Sequence, residues 1–370
     1  MLKFDRRLAL KFDWTLFSMV ALIISIGVLN IYSAGFSLME NEQTPYYIKQ
    51  LQWILIGTVA MSIAFFVDYR FFARHAYLLY GVSLLLLLVV FATGYTSRGS
   101  QRWISFLSFS FQPSELVKLT LILALAKYFD RYRSSRDHRL REFLVPFIIV
   151  MVPFLFILKQ PDLGTGLVLL IIFASLVFFV GLEWRGFLIA VMTALLLAPV
   201  GWFFLKDYQK ERIFTFFSPE RDPLGSGYHI IQSMIAVGSG GLLGKGFLGG
   251  SQTQLKFLPE QQTDFVFSVF AEEWGFLGGV LLIVLFLSLI FWGLKIAIHS
   301  KDYLGALIAF GITMLIFWEV FINIGMVLGI LPVVGIPLPF LSYGGSSIVV
   351  LMTAVGLLMN ISVRRFILHQ

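Results

Sequence analysis

The chain has 370 residues, of which 58% are hydrophobic and 13% charged, about half the charge supply of a soluble domain. Its 28 Lys and Arg against 21 Asp and Glu give a net charge of +7, and cysteine is absent. These figures exclude an ordinary soluble fold, a disulfide framework and a cysteine metal site. The basic surplus reads as loop charge of a membrane protein, because no basic stripe with interleaved aromatics marks a nucleic-acid partner.

A bilayer core about 30 Å thick needs roughly 20 apolar helical residues. Runs of that kind lie near 14–34, 50–67, 75–94, 113–129, 143–158, 164–182, 186–205, 264–294, 303–329 and 341–363. The first follows a basic arm (Lys3, Arg6, Arg7, Lys11) as in a secretory signal, but it is too long for a signal's apolar region and reads as a retained transmembrane helix. The expectation is an all-α polytopic membrane protein, one domain over 1–370, with about ten transmembrane helices.

Orientation follows from the cations. If the ten helices alternate, the N-terminal arm falls on one side with Arg70, Arg74, Arg131, Arg133, Arg136, Arg139, Arg141, Arg185, Lys295, Lys301, Arg364 and Arg365. That side is cytoplasmic by the positive-inside rule, and both termini lie there. The short connections opposite carry only Lys49, Arg98, Arg102 and Lys159. One long outward loop, 206–263, joins helices seven and eight. It is charged at first, then glycine-rich (Gly238–Gly250), then polar, and its stretch Tyr228–Val237 is apolar enough to lie on or dip into the membrane. The ninth connection, Gly329–Leu341, is uncharged and holds Pro332, Pro337 and Pro339. Such backbone survives at membrane depth only when buried in protein or lining a cavity.

Ionisable residues in or beside membrane spans are costly, so they pair or serve a function. Glu115 and Lys118 share a helix face, either as a neutralised pair or as substrate contacts. Asp162 precedes Gly-Thr-Gly and either caps the sixth helix or meets substrate. Glu272 and Glu273 are adjacent, so at least one is expected to have a structural partner. Glu319 lies in an apolar run with no evident role. Asp264 stands where the long loop re-enters the membrane and is expected to begin the eighth helix. It is either a carboxylate stabilised by the helix dipole or a proton acceptor at the water–lipid boundary. Gly244-Lys-Gly-Phe-Leu-Gly249 matches a dinucleotide pattern but follows no strand, so a flexible or closely packed turn is preferred and no nucleotide is expected.

Several segments, taken in order, resemble one family. They are Gly99-Ser-Gln-Arg102-Trp103, Gln112-Pro-Ser-Glu115-Leu-Val-Lys118, Gln160-Pro-Asp162-Leu-Gly-Thr, Glu211-Arg212, Gly227-Tyr-His-Ile-Ile-Gln232-Ser, Gly240-Gly-Leu-Leu-Gly-Lys245-Gly, Leu258-Pro-Glu-Gln-Gln-Thr-Asp264, Glu272-Glu-Trp-Gly275 and Pro337-Leu-Pro-Phe-Leu-Ser342-Tyr-Gly-Gly. Together they are similar to the SEDS proteins of bacterial shape, elongation, division and sporulation, over nearly the whole chain. The short termini and the Gly227–Ser233 stretch look like the elongation branch. Val334, where many members have threonine, is a mild departure.

The resemblance implies a peptidoglycan glycosyltransferase that polymerises lipid II on the outer face of the bacterial cytoplasmic membrane. It implies a class B penicillin-binding protein and elongation-complex membrane proteins as partners, and it singles out Asp264 as essential. An α-linked donor and a β-1,4 product call for one inverting displacement, for which a single base suffices. Candidate substrate contacts are Arg102, Glu115, Lys118, Asp162, Arg212, Gln232, Lys245 and Ser342. Positive charge for the departing diphosphate is expected from Arg102, Arg212, Lys118 or a divalent cation, Mg or Mn, with no metal ligands assigned. The rival readings are a lipid II flippase and a non-catalytic scaffold for the transpeptidase.

Overall fold

Apolar runs in lipid become helices because the backbone must satisfy its own hydrogen bonds there. A computed structural model describes residues 12–36, 45–93, 95–97, 100–106, 109–132, 140–186, 207–221, 225–258 and 260–365, with scattered positions between 188 and 203. The helices in chain order are α1 (Trp14–Phe36), α2 (Tyr46–Phe66), the short α3 (Tyr69–Arg74), α4 (Ala76–Thr93), α5 (Pro113–Arg131), α6 (Leu144–Lys159) and α7 (Leu163–Val180). They continue with α8 (Asp207–Phe217), α9 (Ser226–Ser239), the single turn α10 (Ser251–Gln254), α11 (Val266–Ile298), α12 (Tyr303–Val327) and α13 (Gly345–Arg364).

Among the described residues seven helical segments are long and apolar enough to cross a membrane: α1, α2, Arg141–Lys159, α7, α11, α12 and α13. α4 contributes a shorter apolar run, Ala76–Phe91. α5 is set apart by Glu115, Lys118, Lys127, Asp130 and Arg131, yet most of its residues are buried by neighbouring helices. The expected seventh span, 186–205, lies largely outside the described residues, as do the arm through Lys11, Arg98, Arg133, Arg136 and Arg139.

Burial separates an inner from an outer set. The apolar windows of α12 and α13 are 67% and 89% buried, against 28–39% in the other five, so α12 and α13 with α5 form the interior while the others face outward. This inverts the soluble pattern: exposed Leu55, Leu85, Phe178, Leu281 and Phe291 are what a lipid-facing surface requires.

Two features depart from the sequence expectation. A small antiparallel ribbon, β1 (Tyr95–Ser97), β2 (Ser100–Phe106) and β3 (Phe109–Phe111), occupies what reads as a plain connection between α4 and α5. The long loop is also built: α9 lies over 226–239 and packs on α11 through buried Ile230, Ser233 and Ala236. Ser233 Oγ shares a 2.8 Å hydrogen bond with Ser268 Oγ and donates to Val327 O at 2.8 Å, tying α9 to α11 and α12.

Polar locks fasten one end of the bundle. The Asp13 carboxylate caps α1 by accepting from Leu16 N, and it also accepts from Trp292 Nε1 (3.1 Å) and Ser362 Oγ (2.7 Å). Asn360 donates to the carbonyls of Phe65 and Val67, on either side of the end of α2. Arg364 pairs with Asp68 at 2.9 Å and Arg70 with Asp302 at 2.8 Å. Burial opposes the charge of Asp302, but hydrogen bonds from Gly305 N, Arg70 and Tyr69 outweigh it and hold its carboxyl below the usual carboxylate range.

Candidate active site

The opposite end collects most of the carboxylates singled out above. Asp264 does not begin α11. It lies two residues before Val266, in a turn, and its side chain is half-buried. The backbone around it is gripped from several sides. Ser342 Oγ donates to Thr263 O at 2.6 Å, and Tyr343 N donates to Gln262 O at 2.8 Å. Asn323 Nδ2, from α12, donates to Asp264 O at 2.9 Å, and Asn30 Nδ2, from α1, donates to Val266 O at 2.8 Å.

The proline-broken segment between α12 and α13 forms the facing wall. Val334, Ile336, Leu338, Phe340 and Leu341 are buried, as uncharged irregular backbone at membrane depth must be. Its polar groups find side-chain partners: Ile336 O accepts from Asn323 Nδ2 at 2.8 Å, and Leu338 N donates to Ser342 Oγ at 2.8 Å. Gly335 turns the segment with φ +72°, and a methyl group there would stand 3.4 Å from Asp264 Oδ2. The carboxylate therefore faces a wall left bare by glycine. On the residue before Gly335, Val334 O would collide with a methyl at Gly164, so α7 starts directly against the same segment.

That start belongs to Asp162. It caps α7, accepting from Thr165 N (3.2 Å) and Thr165 Oγ1 (3.0 Å). Arg102 Nη1 lies 3.7 Å from Asp162 Oδ1, while its Nε donates to Gln160 O at 3.1 Å and its Nη2 to Pro161 O. Arg102 thus fastens β2 to the α6–α7 junction, with a quarter of its side chain exposed. The capping reading of Asp162 matches this geometry, and the same carboxylate stands beside a cation.

Other candidates are placed differently. Lys118 is buried between two carboxylates, 2.8 Å from Glu115 Oε2 and hydrogen-bonded to Glu319 Oε1. The neutralised-pair reading is what the structure presents, extended to a triad that gives Glu319 its partner. Glu272 and Glu273 both have partners. Glu272 accepts from Lys245 Nζ (2.7 Å), Gln252 N (3.0 Å) and Thr253 Oγ1 (3.1 Å), and Glu273 accepts from Ser33 Oγ and Leu248 N. Lys245 is therefore held by Glu272.

The glycine-rich loop is closely packed. Lys245 N and Gly246 N donate to the carbonyls of Glu272 and Glu273, and Phe276 N and Leu277 N donate to those of Gly241 and Leu242, at a kink where Gly275 has φ +65°. A methyl at Gly244 would collide with Glu273 O, so glycine is needed there for this docking. Arg212 on α8 and Gln232 on α9 stand half-buried.

Asn30 and Asn323 are functional candidates that the sequence reading passed over. The available signal was a lone amide inside an apolar helix, which in lipid needs a partner.

The family model described as cell cycle protein, FtsW/RodA/SpoVE, matches residues 13–366. The chain belongs to the FtsW/RodA/SpoVE family. The peptidoglycan glycosyltransferase MrdB of Escherichia coli K12 is 40% identical over 359 residues, covering 97% of this chain and 95% of that protein. A chain solved in work on the structural coordination of polymerization and crosslinking by a peptidoglycan synthase complex is similar at a TM-score of 0.82. It is 35% identical, with 96% of this chain and 98% of that one covered. The crystal structure of the rod shape determining protein RodA of Thermus thermophilus is similar at 0.71 and 29% identity, over 96% and 98% of the two chains. The FtsW/RodA/SpoVE fold of this chain is thus that of a polytopic membrane protein.

Proposed function

We propose that this chain polymerises lipid II into β-1,4 glycan strands on the outer face of the bacterial cytoplasmic membrane during elongation, with Asp264 as general base. The observation that carries the reading is a half-buried carboxylate facing Gly335, at the end of the bundle opposite Arg70, Lys295 and Arg364. Basic connections face the cytoplasm, so Asp264 meets a sugar already exported on its lipid. The name of MrdB, a peptidoglycan glycosyltransferase, supports the activity. The likeness to a chain of a peptidoglycan synthase complex supports a crosslinking partner, a class B penicillin-binding protein, beside elongation-complex membrane proteins.

In the proposed step the acceptor GlcNAc 4-oxygen attacks C1 of the donor MurNAc from the face opposite the diphosphate. Asp264 takes the hydroxyl proton as the new C–O bond forms. The old C1–O bond breaks, and its electron pair leaves with undecaprenyl diphosphate. One displacement inverts α to β, so a single carboxylate suffices. Charge on the leaving group falls to Arg102, whose side chain is a quarter exposed, and to Arg212, since Lys118 is almost fully buried between Glu115 and Glu319. Among the described residues no three Asp, Glu, His or Cys side chains gather as a metal cage. A divalent cation, Mg or Mn, carried on the diphosphate would add positive charge there.

The test supplies lipid II to the outer leaflet of proteoliposomes holding the purified chain with its transpeptidase partner. Polymer is expected with no transport step. Lipid II that crosses the bilayer while no polymer forms would replace this reading with the flippase.

A further inference from the structure

Asp264 lies in the turn that leads into α11, which starts at Val266. Beside Ser342 and Tyr343, two buried asparagines brace that turn from helices distant in sequence. Asn323, fully buried on α12, sends one amide hydrogen to Asp264 O and the other to Ile336 O, at 2.9 and 2.8 Å. Asn30, 3% exposed on α1, sends one to Val266 O at 2.8 Å. Because every one of these partners is a carbonyl, the amide nitrogens must be the atoms that face them.

The amide oxygens point to a dedicated role. Asn30 Oδ1 and Asn323 Oδ1 are both buried with no hydrogen-bond partner among the described residues. Unsatisfied buried acceptors are uncommon and costly, and an apolar side chain would fill either position without that cost. What asparagine supplies, and leucine cannot, is the donor pair. The single amide of Asn323 also joins the two walls that define the carboxylate's surroundings, the backbone of Asp264 itself and the segment that carries Gly335. Its two bonds set the distance between them.

We infer that Asn323 and Asn30 are positioning residues, which fix the Asp264 carboxylate against the Gly335 wall by clamping the carbonyls of residues 264, 266 and 336. The catalytic meaning of this clamp rests on the proposed function. The clamp itself does not.

The experiment uses the full chain, purified with its partner, as Asn323→Ala and Asn30→Ala. Amide hydrogen exchange over residues 262–268 is expected to rise in both, with residues 308–316 in the middle of α12 as protected as in the parent. Turnover of lipid II is expected to fall about 10- to 100-fold, as misplacement by an ångström does, with KM little changed. Unchanged exchange at 262–268, or loss of turnover only in proportion to misfolded protein, would overturn the inference. If Asn323→Ala does not fold, Asn30→Ala decides alone, since among the described residues its side chain hydrogen-bonds only the carbonyl of Val266. Full activity in an Asp264→Asn protein would sink the proposed function and leave the exchange result standing as a test of the clamp.

Discussion

Replacing Lys118 with methionine keeps the apolar length of the side chain and removes the ammonium that Glu115 and Glu319 share. No side chain of the three is more than 5% exposed, so both carboxylates would remain in the interior without their counter-charge. Breaking a buried pair by deleting one partner costs about 3–5 kcal/mol, a large part of the ~5–15 kcal/mol that keeps a domain folded. Glu319→Gln is the contrasting change. It leaves Glu115 and Lys118 matched one to one, and its effect should stay within about 1 kcal/mol or stabilise, because a surplus buried charge is removed. The assay is the fraction of purified protein still monodisperse after graded heating in detergent. Lys118→Met should fall first and Glu319→Gln should match or outlast the parent. Equal damage from the two changes would refute a triad with one carboxylate in excess, and a harmless Lys118→Met would refute the pairing altogether.

Glu272→Gln should loosen the loop that the carboxylate gathers through Lys245, Gln252 and Thr253, at a local cost of about 1–3 kcal/mol; faster proteolysis within 240–253 checks it, and an unchanged cleavage pattern contradicts it. Gly244→Ala, at φ +81° and against Glu273 O, should lose at least roughly 1–3 kcal/mol of thermal stability, whereas Gly238→Ala, with open space around it, should lose nothing. Asp302 titrates below its unfolded value, so its contribution is fully present above about pH 4 and fades as pH falls through the folded value. Thermal stability of Asp302→Asn should accordingly lie below the parent's at neutral pH and converge with it on acidification. A constant gap down to pH 3 would contradict that assignment.

The helices were legible because apolar length is a local property, readable wherever a run of about 20 residues occurs. Asp264 stood out for the same reason, as a carboxylate at the junction of a polar loop and an apolar run. What escaped depends on contacts distant in sequence. Glu319 meets Lys118 from 201 residues away, and Asn30 meets Val266 from 236. Asparagine is also the weaker signal, since its partners here are backbone carbonyls, which carry no side-chain signature. The kink at Gly275 hides inside an apolar run, where nothing local tells a helix that continues from one that breaks to receive a loop. Asp264 was expected at the first turn of α11, but the clamped turn before Val266 delays the helix by two residues. A turn leaves the carboxylate facing Gly335, where a helical backbone would direct it along the helix face.

The central claim is that Asp264 removes the proton in glycan polymerisation. Purified Asp264→Asn protein, in complex with its transpeptidase partner and as monodisperse as the parent, should form no glycan strands from lipid II while still binding it. Strands made at the parent's rate would contradict the account.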